Sequence, residues 1–120
     1  MMKKTLVVGA SEKPYRYSHK AIRLLRRHGH PVVAVGLREG RVEDVEIKKG
    51  SPEFENIHTI TLYVGAVRQP QLYDYLLGLN PVRIIFNQGT ENDEFAALAE
   101  KNNIEVVENC TLVMLSSGLF

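Results

Sequence analysis

Three adjacent residues, Gly9-Ala10-Ser11, carry the clearest chemical signal in the chain. A short apolar run, Leu6-Val7-Val8, ends on them, and a basic amphipathic segment follows through Pro14 and Ser18. A strand that stops at a glycine and turns into a helix aims backbone N–H groups and the positive helix end at one point, which suits an anion such as a pyrophosphate. The Ser18 hydroxyl is placed to cap that helix and leave the next N–H groups to phosphate oxygens. The turn lacks the second and third glycines of the usual dinucleotide fingerprint, so its place between strand and helix supplies most of its meaning. The plainer alternative is a tight turn that holds no ligand. Lys13, Arg16, Lys20, Arg23, Arg26 and Arg27 all follow the turn, giving a local positive field in a chain whose formal net charge is only +1.

A second group of residues falls where further strands should end. Gly36-Leu37-Arg38 follows an apolar run at Val32 to Val35, Val64-Gly65 follows another, Asn87-Gln88-Gly89 a third, and Asn109-Cys110 a fourth. A nicotinamide dinucleotide site calls for an acid at the end of the second strand, to hold a ribose hydroxyl, and the sequence there reads Val35-Gly36-Leu37-Arg38. Arg38 suits a phosphate on an adenosine ribose, as in NADP or coenzyme A. The competing assignment leaves Arg38 solvated and takes the cation from Lys13, Arg16 or Lys20. Cys110, the only cysteine, is either a thiol near helix-terminal N–H groups or a buried small hydrophobe. His19, His28, His30 and His58 lack metal-ligand spacing, and Ser116-Ser117 has no recognisable base, so no metal site or catalytic constellation emerges.

These residues need a frame to bring them together. Continuous apolar runs predict buried parallel strands over Thr5 to Gly9, Pro31 to Gly36, Thr59 to Val64, Val82 to Phe86 and Ile104 to Val107. Ala21, Ile22, Leu24 and Leu25 form the apolar stripe of a helix from Ser18 to about His28, closed by Gly29. Pro70 marks the start of a second helix carrying Leu72, Leu76 and Leu79, which ends before Pro81. Asn92 is the expected N-cap of a third, with Asp93 and Glu94 in its first turn and Asn102-Asn103 as its stop. A last short turn spans Thr111 to Ser116. Between Leu37 and Ile57 the pattern is irregular, with a short strand expected at Val45 to Ile47 and one helical turn at Pro52 to Phe54. Alternating strands and helices require an α/β doubly wound parallel sheet in three α/β/α layers, here with five main strands in the order 3-2-1-4-5. The strand ends above then meet at one edge of the sheet.

At 120 residues and 44% hydrophobic content the chain reads as a single domain, 1–120, with one core. The balanced charge argues against nucleic-acid or membrane-surface binding, and no run is long enough to cross a bilayer. A lone cysteine and the lack of a signal-peptide pattern suggest the cytoplasm.

With these residues in hand, the chain resembles the small stand-alone CoA-binding proteins, whose Rossmann-like domain is related to the CoA-binding domain of the succinyl-CoA synthetase α subunit. The likeness rests on Gly9-Ala10-Ser11, on Pro14, Arg16 and Ser18, on Pro31 to Gly36, on Asn87-Gln88-Gly89 and on Cys110. It spans nearly the whole chain. It implies a coenzyme A pyrophosphate over Gly9 to Ser11 and Ser18, with adenosine near the ends of the second and third strands, and it does not imply catalysis. Gly36-Leu37 stands where many relatives have an Asn-Pro pair. An NAD- or NADP-binding redox enzyme or regulator is the alternative from another class, and a third is an interaction domain whose turn has lost its ligand. A homo-oligomer or a partner enzyme is compatible with any of these.

Overall fold

The computed structural model describes residues 2–120. Its strands are β1 (Thr5–Val8), β2 (Val32–Val35), β3 (Gly40–Val42), β4 (Val45–Lys48), β5 (Thr59–Leu62), β6 (Arg83–Phe86) and β7 (Glu105–Glu108). The helices are α1 (Tyr17–Arg27), α2 (Tyr73–Gly78), α3 (Asp93–Lys101) and α4 (Thr111–Ser117). All seven strands join one sheet in the order β3-β4-β2-β1-β5-β6-β7, and only β3 runs antiparallel to its neighbour.

Alternation along the strands sorts the core into two layers. Leu6, Val8, Ile60, Leu62, Ile84 and Phe86 pack with Leu76 of α2 and with Phe95 and Ala99 of α3. Val7, Ala34 and Ile47 pack instead with Ile22 and Leu25 of α1 and with Leu115 of α4. Apolar residues on both faces explain why these strands read as unbroken hydrophobic runs. Asn92 caps α3 as its sequence predicts, its side chain accepting the Phe95 N–H at 3.2 Å.

The doubly wound α/β class stands, with a correction to the strand order. The Thr59–Leu62 strand lies beside β1, in the register Val7 to Thr61, and not outside β2. The place outside β2 belongs to β4, which pairs Ile47 with Ala34. The five expected strands therefore run 2-1-3-4-5, and with β4 counted as the third strand the six parallel strands run 3-2-1-4-5-6. The burial pattern gives the physical reason. Every residue of β5 is buried, so β5 needs partners on both sides and cover on both faces, whereas β4 buries Val45 and Ile47 and exposes Glu46 and Lys48, as a strand near the margin does.

Two local expectations also change. Residues 52 to 54 form no helical turn: Tyr75 donates its hydroxyl to the Pro52 carbonyl at 2.6 Å, and Phe54 packs against the core. Pro70 opens a 3-10 turn over Pro70–Leu72, itself preceded by another at Ala66–Arg68, and the α-helix proper begins only at Tyr73. Among the described residues, no helix is long and apolar enough to cross a membrane.

Candidate functional site

From β1 the chain passes to α1 on one face, and from β5 to α2 on the other, so the carboxyl ends of β1 and β5 diverge and leave a crevice. A cleft of about 390 Å³ occupies that place, with Gly9, Ala10 and Ser11 as its floor. Leu37, Arg38 and Glu39 form one wall, and Tyr63, Val64 and Arg68 form the other. A hollow of about 240 Å³ shares Gly9, Arg16 and Tyr63 with it and continues past Ser18 to Gly65 and Gln88-Gly89.

Backbone contacts fix the turn at the centre. The N–H groups of Gly9 and Ala10 both donate to the Val35 carbonyl, at 3.0 and 2.9 Å, while Tyr63 N–H donates to the Val8 carbonyl at 2.8 Å. Gly9 has φ of +90°, and a Cβ there would come within 2.9 Å of the Tyr63 carbonyl oxygen and of Val64 Cγ2. Glycine is thus required both by conformation and by space. Gly36 does not line the cleft. Its role is close approach, since a Cβ would run into the Ala10 carbonyl beneath the turn.

Arg16, not Ser18, occupies the N-cap position of α1, in an extended conformation, and no side chain caps the helix. Ser18 lies one residue inside the helix and is buried, because the chain enters the helical conformation at Tyr17. With no acidic residue in the first turn either, the positive end of α1 is left uncompensated next to the hollow. His19, also buried, has Nδ1 3.2 Å from the Ser11 carbonyl oxygen and ties the loop to the helix. Exposed Lys13, Arg16, Arg38 and Arg68 outnumber Glu12 and Glu39 around the cleft and leave its lining net positive.

The far side of the site stands on a buried polar network. Asn87 Nδ2 donates to Thr61 Oγ1 at 2.7 Å and to the Leu62 carbonyl at 2.8 Å, and its Oδ1 accepts the Thr111 N–H at 2.9 Å. Fully buried Gln69 donates to the carbonyls of Val64 and Thr90, both at 2.8 Å, and its Oε1 accepts from Asn92 at 2.9 Å. These bonds hold the ends of β5 and β6 in fixed relation beneath Gly65 and Gln88-Gly89. Tyr63 turns its hydroxyl toward Thr61 and Thr111 without a hydrogen bond of ordinary geometry, and burial pushes its pKa up to about 12.

The structure thus gathers Gly9, Ala10, Ser11, Arg16, Leu37, Arg38 and Val64 around the cleft. It brings Ser18, Gly65, Gln88 and Gly89 to the adjoining hollow. Gly36, Asn87 and Cys110 line neither; Asn87 is committed to the network, and half-buried Cys110 sits at the N-cap of α4. Lys13, one of the alternative cations, lines the cleft as well, and Glu12, Glu39, Tyr63 and Arg68 line it beyond the residues singled out from sequence. Adjacency to the glycine turn or to Arg38 flags Glu12 and Glu39, and Tyr63 follows directly on β5, but Arg68 carries no local signal.

No curated protein matches the chain. A solved structure described only as an uncharacterized protein is 44% identical, with a TM-score of 0.97 over 100% of this chain and 99% of that one. A protein from Thermus thermophilus shares the fold at 22% identity, with a TM-score of 0.84 over 99% of this chain and 91% of the other. An acetyl-coenzyme A synthetase from Ca. Korarchaeum cryptofilum, solved with phosphate and ADP, is 16% identical with a TM-score of 0.74; the match covers 89% of this chain and 25% of the synthetase. The family model of the CoA binding domain matches residues 3–116, which is nearly the whole sequence, and the chain belongs to that family.

Proposed function

We propose that the protein binds coenzyme A or an acyl-CoA across the carboxyl edge of its sheet and acts through binding and not through catalysis of its own. One observation carries this reading. The cleft and the adjoining hollow together run over a glycine turn, beside an uncapped helix N-terminus, with four cations around the larger cleft. That arrangement matches a long, kinked ligand with a pyrophosphate at its middle. The pyrophosphate lies over Gly9 to Ser11 and the first turn of α1. Adenosine occupies the wider end between Leu37 and Arg68, where Leu37, 72% exposed in the structure, gains an apolar partner. Arg38 takes the 3′-phosphate. The pantetheine arm leaves past Gly65 and Gln88-Gly89, through the hollow.

On this reading the protein serves as carrier, sensor or partner of an enzyme. Amide NMR of the labelled protein tests the placement. Addition of coenzyme A is expected to shift Gly9, Ala10, Ser11, Tyr17 and Ser18 together. Shifts confined to other parts of the sheet would move the site elsewhere. NAD and NADP, titrated in parallel, separate the redox alternative, which shares the phosphate turn but not the pantetheine arm.

A further inference from the structure

We propose that Glu12 is a specificity-determining residue of this cleft: it accepts a hydrogen bond from the free 2′-hydroxyl of the ribose whose 3′-phosphate meets Arg38, a role that rests on the coenzyme A reading above. The observation behind it is a carboxylate tied to β3 inside a cleft lined by four cations and one further acid, Glu39. Glu12 lines that cleft together with Lys13, Arg16, Arg38 and Arg68. Its Oε2 accepts the Arg41 N–H of β3 at 2.8 Å. Its stem and Oε1 rest against Gly40, where a Cβ would come within 2.6 Å of Glu12 Cγ and 2.7 Å of Oε1. The absence of a side chain at Gly40 therefore makes room for the carboxylate in this position.

A negative charge held beside a phosphate is unfavourable unless the ligand itself offers it a donor. The ribose of coenzyme A offers one, because it carries phosphate on the 3′-oxygen and a free hydroxyl on the 2′-oxygen. A carboxylate is an acceptor only, so it binds the hydroxyl and repels phosphate in its place. Glu12 also lies on the correct side of the turn. Its contacts with Gly40 and Arg41 put it beyond the end of β2, next to Arg38 and Glu39, which is the adenosine end of the proposed ligand. An acid at this edge does for the coenzyme A ribose what the acid at the end of the second strand does in nicotinamide dinucleotide sites, but it comes from the first turn. The positive charge of Arg38 and the negative charge of Glu12 then read the two ribose oxygens separately, and the isomer with its phosphate on the 2′-oxygen is rejected.

Calorimetric titration with coenzyme A and with its 2′-phosphate isomer tests this. The wild-type protein is expected to prefer coenzyme A by about tenfold or more, the ratio that one charged hydrogen bond supports. Glu12→Gln keeps an acceptor for Arg41 and turns an amide donor toward the ligand, so it should cut that preference about tenfold, mainly through tighter binding of the isomer. Gly40→Ala, which leaves Glu12 in the chain but displaces it, should lower the preference in the same direction. Retention of the wild-type ratio by both variants, with coenzyme A still bound, would overturn the role of Glu12 and leave it a tie between the turn and β3. Failure of the wild-type protein to bind coenzyme A would overturn the parent reading, and this role with it.

Discussion

The carbonyl oxygen of Tyr63 lies 2.9 Å from the point that a Cβ on Gly9 would occupy, so the first turn and the end of β5 meet with no room for a side chain. The crevice exists because these two strand ends touch at their bases and separate above. Gly9→Val is expected to destabilise the protein by about 2–5 kcal/mol, combining positive-φ strain with overpacking against Tyr63 and Val64. Urea denaturation measures this directly, and an unchanged midpoint would contradict the crowding. Loss of ligand binding by that variant alone therefore cannot be assigned to the phosphate site, and Arg16 and Arg38 are cleaner probes.

Asn87 supports the same edge from below. Asn87→Ala removes the donor to Thr61 Oγ1 and to the Leu62 carbonyl and the acceptor of the Thr111 N–H at once, leaving Thr61 Oγ1 only its bond with Thr111 Oγ1 at 2.8 Å. The expected loss is about 2–4 kcal/mol, since each orphaned buried group costs about 1–3 kcal/mol and the bonds act as a network. A loss below about 0.5 kcal/mol, the size typical of surface changes, would show that the network contributes no cooperative stability.

The opposite edge of the sheet carries a pH dependence. Burial lowers the pKa of His30 and of His58 below the usual 6.5, helped by Lys3 and Arg83. His30 Nδ1 also accepts the Lys3 N–H at 2.9 Å, which requires the neutral ring. A group whose folded pKa is depressed binds fewer protons when folded, so stability is fully present above about pH 6.5 and falls as pH drops toward the lowered folded values. Denaturation at pH 7.5 and 5.5 should show a lower midpoint at the acid value. His58→Gln should reduce that difference, and a difference that survives replacement of both histidines would assign it to other groups.

What the sequence made legible follows the range of each interaction. The α1 stripe and the Asn92 cap depend on neighbours within a few residues, and the Gly9 turn is marked by its own glycine although Val35 and Tyr63 fix it from other strands; each is found where its local pattern puts it. The position of β5 beside β1 depends on pairing across the sheet, which its own apolar run does not encode; the alternating exposure of β4 held the missing clue to the margin. Ser18 looked like a cap by residue type, but the helix begins before it, with Arg16 in the cap position. Gln69 and Asn87 find partners up to twenty-six residues away, and nothing near them in sequence distinguishes a buried tie from a ligand contact. Arg68 reaches the cleft from the 3-10 turn over Ala66–Arg68 that follows β5, which its own sequence neighbours do not announce.

Calorimetric titration with coenzyme A, 3′-dephospho-coenzyme A, NAD and NADP decides whether the cleft is a coenzyme A site. One coenzyme A per chain is expected, with Arg38→Ala weakening coenzyme A by about tenfold or more and changing dephospho-coenzyme A little, since the charged hydrogen bonds to the 3′-phosphate contribute about 1.5–3 kcal/mol. Binding of NAD or NADP without measurable binding of coenzyme A would contradict it.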